Sequence, residues 1–245
     1  MFSRKYTATL FLIVALTVTA YGQESSQTAP QKTLKEAYAN KFLMGAASDL
    51  RRLSEAELNN VKTQYDILTP ENCMKPQRIH PAENRYDFAI ADTLVDWCLN
   101  NGVQVWGHTL GWHAQTAPWF FQAVNPETEE VQPVRRPGMG WDPNAPRPSM
   151  DEMWRRSIKG EMASREVALD RLEKHIKTVV GRYKGRIIGW DVFNESIADS
   201  GDCTTENLRT FSWYQVVGPE VLTLAFKWAH EADPNAQLYY NDYNI

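Results

Sequence analysis

The feature that most constrains the fold is a regular alternation of short apolar runs and amphipathic helical patterns. Five runs are predicted to be β-strands: Phe42–Ala47, Asp66–Thr69, Val103–Thr109, Arg186–Asn194 and Gln237–Asn241. Helical patterns separate them, and two of these begin at the N-cap residues Ser54 and Ser164. Strands separated by helices pair in parallel, because each crossover must return over the face of the sheet. The chain is therefore predicted to be an α/β protein.

Polar and aromatic residues follow four of the predicted strands at the point where each strand ends. They are Glu71–Lys75, His108–Gln115, Asn194–Glu195 and Asn241–Asn244. Catalytic groups of barrels collect at this edge, and although loops are polar in any fold, the joint pattern favours a barrel. No GxGxxG motif follows any predicted strand, so an open nucleotide-binding sheet lacks its main evidence. We predict a TIM (β/α)8 barrel, of which about the first five β/α units are present.

Composition excludes several kinds of partner. The 245 residues carry a formal net charge of −4, which provides no basic field for nucleic acid or anionic lipid. Three scattered cysteines, Cys73, Cys98 and Cys203, have no CxxC spacing, which argues against a metal site. We expect no cofactor. One disulfide with a remaining thiol and three buried thiols both stay open, and the sequence gives no indication of oligomeric state.

The first residues have the pattern of an export signal. Arg4 and Lys5 precede an apolar stretch, and Ala20 and Gly22 are small residues at the positions that a cleavage site requires. A membrane anchor is the alternative, but the apolar stretch falls short of the ~20 residues that a span needs. We predict a signal peptide over residues 1–22, a polar mature segment over 23–40 and the barrel domain over 41–245. The protein is expected to be secreted, to the periplasm or the medium, without membrane attachment.

The segments that follow the strands resemble the successive signatures of glycoside hydrolase family 10, the endo-β-1,4-xylanases. They are Glu71–Lys75, His108–Thr116, Trp190–Glu195 and Asn241–Asn244. The resemblance runs from about Lys41 to the last residue, in the order that the family has. It implies a (β/α)8 barrel that cleaves internal β-1,4-xylosidic bonds of xylan or xylo-oligosaccharides with retention of anomeric configuration.

The resemblance also implies a role for each matching residue. Glu195 corresponds to the general acid/base, and Asn194 to the neighbour that contacts the sugar 2-hydroxyl and orients the second carboxylate. The other matching positions belong to substrate-binding residues: Glu71, Asn72 and Lys75 on the glycone side, and His108, Trp112 and Gln115 at the −1 subsite. His113 matches a motif position whose role stays open.

These residue types suit the chemistry of glycoside hydrolysis. The reaction needs a proton for the leaving oxygen and negative charge near an oxocarbenium-like transition state. A carboxylic acid can supply that proton near neutral pH when burial or a second carboxylate raises its pKa. Lysine and histidine donate to sugar hydroxyls, and amides both donate and accept. The alternative role for Glu195 is that of a helix N-cap or an ion-pair partner, and His108 without the family motif would more often be a core histidine.

Other aromatic and ionisable side chains are assigned structural roles. Trp106 and Trp190 lie within predicted strands and are expected to pack in the core. Cys73 is predicted to be a packed thiol. Three histidines outside any motif are expected at the surface or in loops: His80, His175 and His230.

The sequence departs from the family pattern at three places. Pro76 stands where the family usually has tryptophan, and Gly111 replaces a commoner valine, a change expected to matter less than the one at Pro76. Residues 122–162 form a long irregular connection that holds six of the 13 prolines. We expect a loop that shapes the cleft, with a short helix at Asp151–Lys159, and a solvated insertion without substrate contact is the alternative.

The second carboxylate is missing from the sequence. A retaining mechanism places it roughly 5–5.5 Å from the first, and in the family it is a glutamate on the seventh strand. The sequence stops at Ile245, just after the fifth predicted strand, so no residue, Glu71 included, is assigned as nucleophile. We expect the nucleophile beyond Ile245, and we expect the 245-residue polypeptide alone to be unstable and inactive.

Three functions remain in view. The first is the amino-terminal part of a secreted xylanase. The second is a related barrel glycosidase that acts on another β-linked glucan or mannan, because Asn-Glu after the fourth strand is shared more widely than the other motifs. The third is a non-catalytic xylan-binding protein.

Overall fold

The computed structural model describes residues 31–123, 158, 161–198, 207–209 and 213–243. Two sequence predictions fall outside these residues, wholly or in large part. They are the signal peptide over 1–22 and the interior of the 122–162 connection, including the helix expected at 151–159. The ends of that connection are described and adjoin, because Gln122 and Met162 form an antiparallel bridge.

Five parallel strands form one sheet in the order in which they occur along the chain. They are β1 (Gly45–Ala47), β2 (Ile67–Thr69), β3 (Gln104–Trp112), β4 (Gly189–Asn194) and β5 (Gln237–Asn241). A doubly wound sheet reverses its strand order at an interior strand, whereas a barrel adds each strand beside the last. The consecutive order is therefore the one that the barrel prediction requires.

Helices connect the strands. They are α1 (Leu34–Tyr38), α2 (Glu55–Gln64), α3 (Pro76–Ile79), α4 (Ala89–Asn100), a 3₁₀ turn (Pro118–Phe121), α5 (Arg165–Arg182), α6 (Trp213–Val216) and α7 (Glu220–Ala232). Both predicted N-caps are confirmed. The Ser54 hydroxyl accepts the Glu57 N–H within a reciprocal capping box, and the Ser164 hydroxyl accepts the Val167 N–H.

Four of the five strands differ in extent from the prediction, and β5 matches it. Strand β1 begins at Gly45 rather than at Phe42, and β2 at Ile67 rather than at Asp66. Strand β3 continues through Trp112, beyond the expected end at Thr109, because its pairing with β4 resumes after an irregularity. Strand β4 begins at Gly189 rather than at Arg186. Gly185 adopts a positive φ of 71° and the Arg186 N–H donates to Tyr183 O (2.8 Å), so Arg186 belongs to the turn that ends α5.

The core lies between the sheet and the helices that cover it. Trp190 on β4 is 1 % exposed, which confirms its predicted packing role. Its indole lies against the backbone of β3, where a Cβ at Gly107 would come within 2.2 Å of the ring. Helix α5 contributes a stripe of buried apolar residues to the same core: Ala168, Leu172, Ile176, Val179 and Val180.

Two of the three histidines expected at the surface or in loops are buried, although His80 does lie in the loop that follows α3. His80 is 2 % exposed and His175 is fully buried, and their Nδ1 atoms lie 3.1 Å apart. Tyr86 stacks on the His80 ring at a centroid distance of 3.7 Å. The surface prediction was wrong for this pair because the contact joins residues 95 positions apart, which local sequence does not reveal. His230 is exposed, as expected.

The two described cysteines are buried free thiols. Cys73 lies in the core, which confirms the packed-thiol prediction, and Cys98 is also buried. Burial raises the pKa of both thiols, that of Cys98 to about 12. Cys203 lies outside the described residues.

The sheet has exposed apolar residues near both of its outer strands. Phe42 and Leu43 precede β1, and Tyr239 and Tyr240 lie on β5. No helix within the described ranges combines the length and apolar character that a membrane crossing requires.

Candidate active site

The carboxyl ends of β3 and β4 lie side by side and bring two predicted motifs together. Trp112 is in register with Asn194, and Gly111 with Phe193. A Cβ at position 111 would lie 2.5 Å from the Phe193 ring. A side chain larger than glycine at position 111 would therefore meet the Phe193 ring as it is placed here.

Glu195 follows β4 directly and is held at both its backbone and its carboxylate. Its φ is +53°, and its N–H donates to Asn241 O (2.7 Å). The Trp112 indole Nε1–H donates to Glu195 Oε2 (2.9 Å), and His113 Nε2 lies 4.0 Å from the same oxygen. His113 Nδ1 lies 3.1 Å from the Glu195 carbonyl oxygen. The Glu195 side chain is 22 % exposed, so solvent can reach it while Trp112 holds its carboxylate in place.

Asn194 is buried and bonded to the next strand. Its side chain is 2 % exposed, and its Oδ1 accepts the Nδ2–H of Asn241. The bond joins the ends of β4 and β5. It fixes the orientation of the amide, with the Nδ2 group of Asn194 as the donor that a sugar hydroxyl could use.

His108 lies within ion-pair distance of Asp191, a site residue that the sequence analysis did not predict. His108 Nδ1 lies 2.8 Å from Asp191 Oδ2, and the Trp106 indole donates to Asp191 Oδ1 (2.9 Å). Asp191 thus fixes the ring of His108 and leaves its Nε2 for another partner. The available signal was an acidic residue inside an apolar strand. Trp106, expected in the core, is only partly buried and lines the cleft.

The loop after β2 is held by a second missed residue, Asp49. Its Oδ1 accepts the backbone N–H groups of Asn72 (2.9 Å) and Cys73 (3.0 Å). Burial raises the pKa of Asp49, but these backbone donors outweigh it, and the pKa lies below its usual value. Asp49 comes shortly after β1, so the end of the first strand contributes to the site as the ends of its four successors do.

Lys75 reaches from this loop toward Trp112. Its Nζ donates to Asn72 Oδ1 (3.3 Å) and lies 4.8 Å from the centroid of the Trp112 ring. Burial lowers the pKa of Lys75, and the charges of Glu71, Asp49 and Glu195 oppose this effect. Pro76 takes the first position of α3, where proline fits because the missing N–H is not needed.

An open cleft of about 630 Å³ extends over one face of the sheet and reaches its carboxyl edge. Glu71, Lys75 and His108 line it, together with Asp191 and Asn241. Trp112, Asn194 and Glu195 are not among the residues that line it. Two lining residues contact members of this group: the Lys75 Nζ lies over the Trp112 ring, and the Asn241 amide donates to Asn194 Oδ1.

Gln115 is the predicted site residue with the least support from the geometry. It has a positive φ of 44°, and its backbone carbonyl accepts the N–H of Gln77 (2.7 Å). It does not line the cleft. Within the described residues no group of three or more histidine, cysteine, aspartate or glutamate side chains has the geometry of a metal site.

Comparison with known proteins decides the family. The profile of Glycosyl hydrolase family 10 matches residues 33–245. The chain belongs to glycosyl hydrolase family 10. The family resemblance in the sequence is thereby confirmed, and so is the barrel fold, because solved structures of the family share the chain's architecture.

Among curated relatives in this family, the chain is 40 % identical over 213 residues to endo-1,4-beta-xylanase A of Caldicellulosiruptor sp. (strain Rt8B.4), with coverage of 86 % of this chain and 27 % of the relative. It is 35 % identical over 246 residues to the beta-1,4-xylanase of Dictyoglomus thermophilum, with coverage of 100 % and 57 %. The chain thus spans about half, or less, of the lengths of these two relatives.

A solved family 10 structure has a similar fold. The intracellular xylanase TsXylA from Thermoanaerobacterium saccharolyticum JW/SL-YS485 is 34 % identical with a TM-score of 0.68, over 88 % of this chain and 57 % of that one. XynB from Paenibacillus barcinonensis, complexed with a conduramine derivative, is 38 % identical with a TM-score of 0.67, over 89 % and 54 %.

Proposed function

We propose that this chain forms the acid/base half of a retaining endo-β-1,4-xylanase, with Glu195 as the general acid/base. The observation that carries the proposal is the placement of Glu195 in a family 10 barrel. It follows β4 beside the buried Asn194, and its carboxylate accepts the Trp112 indole N–H at 2.9 Å. The relatives named as xylanases support xylan as the substrate.

The proposed mechanism has two steps. Glu195 first donates its proton to the glycosidic oxygen, the bond to the anomeric carbon breaks, and the second carboxylate captures the sugar as a covalent intermediate. Glu195 then takes a proton from water as that water attacks the same carbon and releases the nucleophile. One water is consumed, and the acid/base returns to its starting form.

Substrate binding is proposed for the residues around the cleft. Lys75 and His108 present donors that can bind sugar hydroxyls, and Glu71 presents an acceptor. The Trp112 face, next to the Lys75 ammonium, suits the apolar face of a pyranose. For Gln115 the proposed contact at the −1 subsite rests on the family motif alone.

No residue of this chain is assigned as the nucleophile, the second carboxylate that the proposed mechanism requires. Asp191, a carboxylate of the cleft, has both oxygens engaged by His108 and Trp106, and Glu71 has no feature that marks it for attack. A glutamate on a seventh strand would supply the group that the mechanism requires.

The test is the substitution Glu195→Gln in the full-length gene product, with Glu173→Gln on the exposed face of α5 as control. Loss of general acid catalysis should lower xylan turnover by a factor of about 10²–10⁴, and the control should keep it. Reducing-sugar release from xylan, glucan and mannan identifies the substrate class. Undiminished xylan turnover by Glu195→Gln would refute the proposed role.

Export is a separate proposal. Residues 1–22 have the features of a cleaved signal peptide, although one family 10 neighbour is named an intracellular xylanase. Intact-mass measurement of protein from the native host should give Gln23 as the first residue. A retained Met1 would contradict cleavage.

A further inference from the structure

The backbone of Glu195 is held in a conformation that residues with a side chain rarely adopt. A positive φ of 53° crowds the Cβ against the backbone, so neighbouring groups must maintain it. The Glu195 N–H donates to Asn241 O (2.7 Å). Its carbonyl oxygen accepts the Arg209 Nε–H (2.8 Å) and lies 3.1 Å from His113 Nδ1. Three strand ends and a returning segment therefore meet at the backbone of one residue, Glu195.

Arg209 reaches Glu195 from a segment that pairs with the chain just after it. Ile197 and Leu208 form an antiparallel bridge. The Arg209 N–H donates to Ser196 O (2.8 Å), and the Ala198 N–H donates to Asn207 O (3.0 Å). The Arg209 backbone is thus fixed next to Ser196, which places its side chain within reach of the preceding carbonyl.

The other end of the Arg209 side chain binds beyond β5. Its Nη2 donates to the Tyr243 hydroxyl (3.0 Å), and its guanidinium carbon lies 5.6 Å from the centroid of the Tyr243 ring. The Tyr240 hydroxyl accepts the N–H groups of Ser196 (2.9 Å) and Ile197 (3.1 Å). The segment after Glu195 is therefore anchored to the end of β5 at several points.

We propose that Arg209 is a positioning residue for the acid/base Glu195. This inference rests on the proposed function of Glu195. Arg209 bridges the Glu195 carbonyl and the Tyr243 hydroxyl, and so keeps the Glu195 backbone in the left-handed conformation from which its carboxylate reaches the Trp112 indole. A planar guanidinium can serve both partners at once, whereas the single ammonium of lysine must divide its donors between separated acceptors.

The consequence concerns orientation rather than affinity. Loss of the Arg209 Nε–H leaves the Glu195 carbonyl with fewer donors and lets its backbone relax toward an ordinary conformation. The carboxylate then moves away from Trp112 Nε1 and from the leaving oxygen. Sugar-binding groups such as Lys75 and His108 keep their own partners, Asn72 and Asp191. The proton-transfer step should therefore suffer while substrate binding is retained.

The experiment substitutes Arg209 in the full-length gene product and follows xylo-oligosaccharide hydrolysis. Arg209→Met should lower kcat by about 10- to 100-fold, because a displacement of about 1 Å at the reacting group has that order of effect, with KM unchanged within about two-fold. Arg209→Lys should retain an intermediate kcat. Tyr243→Phe, which removes only a hydroxyl, should lower kcat by about three-fold.

Arg165→Met is the matched control. Arg165 also donates its Nε–H to a backbone carbonyl, that of Val217 (3.1 Å), and its Nη2 binds a side chain, that of Glu220. Neither of these contacts involves Glu195. The kcat of the Arg165→Met variant should stay at the wild-type value.

A second readout follows the Trp112 indole N–H directly by proton–nitrogen NMR, with Trp112→Phe to assign the signal. Arg209→Met should shift this resonance and speed its exchange with solvent, while the other indole signals stay in place. If Arg209 only stabilised the fold, its loss would shift many of the indole signals together.

The outcomes separate the two claims. In one outcome, Glu195→Gln is inactive, and all three other variants keep the wild-type kcat and Trp112 indole signal: Arg209→Met, Arg209→Lys and Tyr243→Phe. The role of Arg209 is then overturned, and that of Glu195 stands. If Glu195→Gln keeps full xylan turnover, the proposed function itself is wrong. Should Arg209→Met fail to fold, Arg209→Lys and Tyr243→Phe decide, and wild-type behaviour of both overturns the role of Arg209.

Discussion

At the scale of single residues, the site depends on side chains that orient other side chains. Asp191 binds His108 Nδ1 at 2.8 Å and the Trp106 indole at 2.9 Å. Asp49 holds the loop of Asn72 in the same way. Each of these carboxylates fixes the position of its neighbours.

We expect Asp191→Asn to lower kcat/KM on xylo-oligosaccharides by about 10- to 100-fold, because a hydrogen bond to a charged acceptor is replaced by a neutral one that can present the wrong group to His108. Initial-rate kinetics of the full-length protein measure the effect. Asp96→Asn is the control, because Asp96 is exposed and pairs with Arg186 at the surface. Equal rates for the two variants would contradict an orienting role for Asp191.

Gly111 offers a prediction about stability. Gly111→Val should lower the free energy of unfolding by about 1–3 kcal/mol, because the new side chain overlaps the Phe193 ring in a packed strand pair. Gly181→Ala is the control. Nothing lies within 4 Å of a Cβ at Gly181 inside α5, so that change should raise stability by up to about 1 kcal/mol. Urea unfolding distinguishes the two, and a stabilising Gly111→Val would disprove the overlap.

At the scale of elements, α5 is joined to the segment after α3 through buried polar groups. His175 on α5 meets His80, and Arg171 forms a bidentate pair with Glu83 at 2.7 and 3.0 Å. Arg171 also donates to the carbonyl of Trp119, which lies within the 3₁₀ turn after β3. The histidine pair is faced by Glu83, whose carbonyl oxygen lies 3.0 Å from His80 Nε2, by the backbone of Leu110, and by the rings of Tyr86, Trp119 and Phe120.

The histidine pair predicts a loss of stability in acid. Burial lowers the pKa of His80 to about 4, with the backbone and charge of Glu83 opposing it, and burial followed by the charge of His80 lowers that of His175. The unfolded chain therefore takes up protons below pH ~6.5 that the native chain refuses down to pH ~4, and native stability falls as the pH falls through this window.

For His80 alone the expected loss between pH 7 and pH 5 is about 2 kcal/mol. Urea unfolding at the two pH values should show a smaller acid loss in His80→Phe than in the wild type. His230→Gln is the control, because His230 is exposed, and it should keep the wild-type dependence. An identical pH dependence in all three proteins would contradict the buried neutral pair.

The sequence predicted the features that depend on residues close together along the chain. The alternation of strands and helices, the Ser54 and Ser164 caps and the placement of Glu195 after β4 all follow from periodicity and short motifs. The His80–His175, His108–Asp191 and Arg209–Tyr243 contacts join residues 95, 83 and 34 positions apart. They depend on which strand ends lie side by side, and short motifs do not specify that register.

At the scale of the whole molecule, the sheet has two outer strands with apolar residues exposed near them. A closed barrel has no free edge, whereas an exposed strand edge invites pairing with another chain. Tyr239 on β5 is 51 % exposed and belongs to this surface.

We therefore expect the 245-residue polypeptide, expressed alone, to self-associate at micromolar concentration. Light scattering after size exclusion should show oligomers, and Tyr239→Lys should reduce them. Leu99→Lys, a change at an exposed position on α4, is the control and should have no such effect. A monodisperse monomer in all three cases would contradict this view of the sheet edge.

The most direct measurement of the central claim compares two substrates with the full-length protein and its Glu195→Ala variant. One is xylo-oligosaccharide, whose leaving group needs a proton, and the other is a dinitrophenyl xylobioside, whose leaving group does not. The account predicts that kcat/KM of the variant falls by about 10²–10⁴ on the first and stays near the wild-type value on the second. Equal losses on both substrates, or no loss on either, would show that Glu195 is not the proton donor.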